Sequence, residues 1–101
     1  MKTKTDSLRL TTANPKKLIE NLFDKIDHNK IRSWEYDSDD LLSHKGAQYI
    51  DHFYFKYSID QKKGILIFDL YSDGNQFAES RAIQLLERML KEHFGEDSDI
   101  I

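Results

Sequence analysis

QYIDHFYFKYSIDQKKGILIFDLYS, residues 48–72, decides the fold. In its first arm Phe53, Phe55, Tyr57 and Ile59 alternate with His52, Tyr54, Lys56 and Ser58. In the second arm Leu66, Phe68 and Leu70 alternate with Ile65, Ile67, Asp69 and Tyr71. Period-two alternation marks β-strands, whose successive side chains point to opposite faces. Gln61-Lys62-Lys63-Gly64 joins the arms, with Gly64 in the position where a turn of this length usually needs a positive φ. Pairing Asp60 with Ile65 across the turn sets the register of a β-hairpin. A slip of one residue would send every apolar set to the wrong face.

That register sorts the hairpin into two faces. Phe53, Phe55, Tyr57, Ile59, Leu66, Phe68 and Leu70 share one, the expected core side. The other carries His52, Tyr54, Lys56, Ser58, Ile65, Ile67, Asp69 and Tyr71, with Lys56 opposite Asp69 and Tyr54 opposite Tyr71. An antiparallel sheet face open to water normally reads as polar. Two adjacent isoleucines and two tyrosines do not fit that pattern, whereas exposed apolar area combined with tyrosine is typical of contact surfaces. His52, Tyr54, Ile65, Ile67 and Tyr71 are therefore the expected partner-binding residues. The competing expectation is that the N-terminal segment, through Leu8 and Leu10, folds over this face and buries it.

Outward from the hairpin, Asp73-Gly74-Asn75 forms a turn and caps a helix over about 76–94. Ala82, Ile83, Leu86, Met89, Leu90 and Phe94 make its apolar stripe, and Gly95 stands where helices commonly stop. Residues 96–101 read as a frayed acidic tail. Upstream, 38–46 is a polar connection in which Leu41 and Leu42 point to a fold-back, and Ile31–Asp37 reads as a strand with Trp34 and Tyr36 on one face. Asn14-Pro15 opens another helix, running to about Asn29 with Leu18, Ile19, Leu22, Phe23 and Ile26 inward. Residues 1–12 fit a frayed arm and a fourth, N-terminal edge strand equally well. The expected fold is α+β in two layers: an α-β-β-β-α order giving a three-stranded antiparallel sheet with two helices on one face.

This α-β-β-β-α order, over about 14–94, resembles the double-stranded RNA-binding domain family, whose second helix opens with a lysine-rich segment that contacts phosphates. The matching positions here are Asn75-Gln76-Phe77-Ala78-Glu79-Ser80-Arg81, which lack the lysine cluster. The resemblance is one of topology, and fold does not dictate function.

At 101 residues, with 39% hydrophobic and 33% charged residues, the chain is expected to be one domain, 1–101, with a single core. It has no cysteine, hence no disulfide and no thiolate metal site. No apolar run is long enough to span a membrane and no apolar segment follows the charged start, so the expected location is cytoplasmic. Net charge is −3, unevenly placed: residues 1–33 carry +4, residues 34–60 carry −4 and residues 61–101 carry −3.

Candidate chemistry is sparse. Glu35, Asp37, Asp39 and Asp40 form an acidic cluster, but the glycine and glutamate of a calcium loop are missing, and a solvated strand end accounts for them. Asp60-Gln61-Lys62 matches part of a metal-dependent nuclease motif, yet it falls in the hairpin turn. His28 and His93 sit near helix C-termini, where the dipole favours them. His44 and His52 have no catalytic partner in sequence. The expectation is a non-enzyme with no catalytic residues, no metal and no cofactor. It binds a partner protein or itself as a homodimer, as small acidic inhibitor, immunity or anti-defence proteins do. The alternative is a nucleic-acid binder with a topology similar to the double-stranded RNA-binding domain, and the acidic middle and end of the chain argue against it.

Overall fold

The computed structural model describes residues 1–101. In chain order the elements are β1 (Thr3–Thr12), α1 (Pro15–Asp27), β2 (Trp34–Tyr36), β3 (Leu42–His44), β4 (Phe53–Asp60), β5 (Ile65–Ser72), α2 (Gln76–Phe94) and β6 (Ser98–Ile100). The strands form one antiparallel sheet in the order β2-β3-β4-β5-β1-β6. The hairpin register is the one read from the alternation: Asp60 faces Ile65, Lys56 faces Asp69 and Tyr54 faces Tyr71. Gly64 takes φ 65°, and a Cβ there would lie 2.8 Å from the Thr12 carbonyl oxygen. The turn is thus closed against the end of β1, where Thr12 N–H donates to Gly64 O at 2.9 Å.

The α+β class with two helices and an antiparallel sheet stands, but the sheet has six strands rather than three. Residues 3–12 are not a frayed arm but a strand: β1 pairs along β5 and meets β6 only at Leu10–Thr12, so its Thr3–Arg9 part lies at the sheet edge. Leu8 faces Phe68 and Leu10 faces Leu66, and both leucines are buried on the helix side. Two leucines give too short an alternation to separate a strand from an arm.

The second added strand lies in the connection 38–46. Leu42 faces Phe55 and is buried, so the fold-back takes the form of β3, while the strand before it shortens to Trp34–Tyr36. Asp37 turns the chain here, its carboxylate accepting from Asp39 N–H at 2.9 Å and Leu41 N–H at 3.0 Å. The third addition is the tail, where Ile100 faces Leu10 and packs against the core. With β1 inserted beside the hairpin, α-β-β-β-α no longer describes the sheet.

Local signals set the helices. Asn14 caps α1, its side chain accepting from Lys17 N–H, and Pro15 takes the first turn. The helix stops at Asp27, two residues before Asn29, which adopts the left-handed φ of 59°. Asn75 caps α2 by accepting from Ala78 N–H at 3.0 Å. Gly95 ends α2 with φ −61°, still right-handed, so the left-handed glycine cap is not used.

Leu18, Ile19 and Leu22 from α1 and Ala78, Ala82, Leu86, Met89, Leu90 and Phe94 from α2 meet the inner sheet face. That face supplies Leu8, Leu10, Phe53, Phe55, Leu66, Phe68 and Leu70. Phe55 makes edge contacts with Phe53 at 5.8 Å and Phe68 at 6.5 Å between centroids. Burial of a ring of this size stabilises by about 1.5–3 kcal/mol. The core thins toward the hairpin turn, where Tyr57 is half-buried and Ile59 is 37% exposed, so Ile59 is not a core residue.

Candidate protein-binding face

The outer face of the sheet is laid out by the registers of β1, β5 and β4. Across the three strands, Lys4, Tyr71 and Tyr54 form a first row, and Ser7, Asp69 and Lys56 a second. Arg9, Ile67 and Ser58 follow, then Thr11, Ile65 and Asp60. No element lies across these rows: both helices pack on the opposite face, and β1 extends the sheet sideways rather than folding over it. The expectation that Leu8 and Leu10 cover this face is overturned, since both point into the core.

Tyr54 and Tyr71 stack with ring centroids 5.2 Å apart and planes 12° apart. Ile65 and Ile67 are half-buried between neighbouring strands. A stacked tyrosine pair with two adjacent isoleucines offers rigid apolar area at low entropic cost, with hydroxyls for orientation. Lys56 stands opposite Asp69, but the ion pair of Asp69 is with Lys4, at 3.4 Å. The register slips between Lys4 and Asp6, and a bulge of this kind inverts the facing of everything beyond it. Lys4 thereby reaches the outer face, where unbroken alternation from Leu8 would turn it inward.

His52 sits at the corner of this face. Its Nδ1 lies 2.8 Å from Asp73 Oδ2, while Asp73 N–H donates to His52 O at 3.0 Å. The hydrogen bond with His52 holds the Asp73 carboxyl below its ordinary range, helped by Asn75 N–H. Asn75 in turn caps α2. The pair is a clasp between the start of β4 and the start of α2, and no nucleophile joins it. Ser72 Oγ instead accepts from Gly74 N–H at 3.1 Å.

The remaining candidates resolve into local structure. Asp60 accepts from Lys63 N–H at 3.2 Å within the hairpin turn, and Asp37 serves its own turn as above. No three His, Asp or Glu side chains converge in an arrangement that would hold a metal ion. His28 Nδ1 lies 2.8 Å from Asp24 O at the end of α1.

Sequence reasoning passed over His44, which is packed edge-on against Trp34 and Tyr49, each at 5.1 Å between centroids. Burial pushes its pKa down, and its Nδ1 accepts from Gly46 N–H at 2.9 Å, which fits a neutral ring. Tyr49 continues the cluster by stacking on Phe77, which Arg81 covers at 3.8 Å. Lys4 and Arg9 on the outer face were missed as well, because their strand was not placed.

Comparison with known proteins finds no matching family model, no matching curated sequence and no matching solved structure. No helix is long and apolar enough to cross a membrane.

Proposed function

We propose that the chain is a non-enzymatic protein-binding module that uses the outer face of its sheet to bind a partner protein or a second copy of itself. The observation that carries this reading is the uncovered row arrangement that puts the stacked Tyr54 and Tyr71 at one end and Ile65 and Ile67 at the other, on either side of the Asp69–Lys56 row. His52 stands at the rim beside the tyrosines, as polar groups rim an interface core, and Lys56 with Asp69 sets a charged row between the two apolar clusters. An inhibitor, immunity or anti-defence role suits a small acidic protein with such a face.

The test is Ile67→Lys. It should abolish self-association by sedimentation velocity, or partner capture in a pull-down, while the melting temperature hardly moves. A strong loss of stability in a monomeric wild type would sink the interface. A second reading, nucleic-acid binding, draws on Lys4, Arg9 and Lys56 beside the stacked tyrosines, since basic side chains with aromatic platforms suit single strands. It requires RNA or DNA binding that weakens steeply with salt. Salt-independent association favours the protein partner.

A further inference from the structure

A cleft of about 320 Å³ opens on the helix side of the sheet, between the turn 30–34 and α2. Lys30, Arg32 and Ser33 line it from the turn, and Arg88 and Glu92 line it from the helix. Buried Trp34 and half-buried His44 line it from β2 and β3, and His93 lines it from the end of α2. Three permanent cations thus share the cleft with one carboxylate, in a chain of net charge −3. None of the three cations is in an ion pair: those present are Lys4 with Asp69, His28 with Asp24 and His52 with Asp73.

Cations near helix C-termini ordinarily answer the helix dipole, and both helices end close by. Those ends are already served. Lys25 Nζ donates to His93 O at 3.4 Å, and the N–H groups of Lys30 and Ile31 turn back onto Lys25 O at 2.8 and 3.1 Å. Arg32 is steadied by Nε donating to Asn29 O at 3.2 Å, which leaves its two terminal nitrogens for another acceptor. Like charges set along both sides of a cleft repel, and an anion bridging them relieves the repulsion.

We propose that this cleft binds a small phosphate-bearing molecule. Arg32 and Arg88 supply planar donor forks, Lys30 a point charge and Ser33 a hydroxyl. Ile31, Leu85 and Met89 offer apolar lining to the organic part of a phosphate ester, and the volume lies in the range of about 300–1,000 Å³ usual for small-molecule sites. Three cations against one carboxylate favour a dianionic phosphate over a single carboxylate. The cleft lies across the sheet from the binding face, so its fate is independent of the proposed function.

Trp34 is the only tryptophan, so its emission and indole N–H signal report on the cleft directly. The full chain is titrated with inorganic phosphate, pyrophosphate and AMP at constant ionic strength, with acetate as control. Saturable shifts at Trp34, Ser33 and Arg88 are expected with the phosphates and not with acetate. Tighter binding of AMP marks a phosphate ester as the occupant, and equal binding marks free phosphate. Arg88→Glu and Lys30→Glu should each weaken binding by about ten-fold or more, equivalent to about 1.4 kcal/mol. Lys16→Glu, outside the cleft, should leave it unchanged. Should Arg88→Glu disturb the far-ultraviolet dichroism, Arg88→Gln takes its place. Unsaturable shifts, an equal response to acetate, or undiminished binding in both cleft variants would overturn the site.

Discussion

The two faces of the β4–β5 hairpin come from the same sixteen residues and differ in what covers them. On the inner face Phe53, Phe55, Leu66, Phe68 and Leu70 are at most 1% exposed beneath two helices. On the outer face Tyr54, Ile65, Ile67 and Tyr71 stay half-buried, screened only by their neighbours in the sheet. Apolar character is therefore not what separates core from surface here. Coverage is, and the stripes of α1 and α2 reach one side only.

The largest effect that would break this contrast is on stability. Phe55→Ala or Phe68→Ala should each cost about 3–5 kcal/mol in denaturant melts, through lost burial and a residual cavity. A cost under about 1 kcal/mol would mean the inner rings are not packed as described. Ile67→Lys, one residue along the same strand from Phe68, should change stability by less than about 1 kcal/mol, because the lysine stem can lie along the sheet while its ammonium reaches water.

A smaller effect is expected at the rim of the inner face. The pKa of His44 is lowered by burial, so its neutral form is favoured in the folded state. The sign follows: its contribution is complete above the ordinary histidine value and is lost as pH falls below about 6.5. Melting temperature should decline over that range, and His44→Asn should flatten the decline even if it lowers the plateau. An unchanged slope would show that the ring is not desolvated.

The smallest expected effect is at the corner of the outer face. Asp73 is held below its ordinary range by His52, so the clasp contributes fully above the ordinary aspartate value and is lost as pH falls from there through the lowered one. Lower protection of the Asp73 and Asn75 amides, relative to their intrinsic exchange rates in acid, should show it. Asp73→Asn should give the same change at neutral pH, and no difference from wild type would remove the clasp.

Much of this contrast was legible in sequence because period-two alternation over eight residues fixes both strand and face. Asp60 facing Ile65 followed from the turn, and everything on the hairpin followed from that pair. The caps at Asn14 and Asn75 were readable for the same reason, since a side-chain acceptor before an apolar stripe is a local signal. What escaped was non-local. Leu8 with Leu10, Leu42 alone and Ile100 alone are too few to show a period, and become strands only where the hairpin, or for Ile100 the added β1, offers an open edge. On the outer face, His52, Tyr54, Ile65, Ile67 and Tyr71 were placed by the hairpin, whereas Lys4 and Arg9 needed β1 and its bulge.

The short flanking strands have a consequence for how the chain behaves among its own copies. Left alone, β1 and β4 would each present a long row of unpaired backbone groups, a template for runaway cross-strand growth. Three-residue β6 covers only the Leu10–Thr12 end of β1, and three-residue β3 covers β4 only around Phe55. The stretches left open are protected instead by charge and irregularity, since Thr3–Arg9 of β1 carries Lys4, Asp6, Arg9 and a bulge, and β4 beyond Phe55 carries Lys56 and Asp60. Trimming residues 98–101 would add the uncharged Leu10–Thr12 end to the open row of β1, giving it a stretch able to recruit another strand edge to edge.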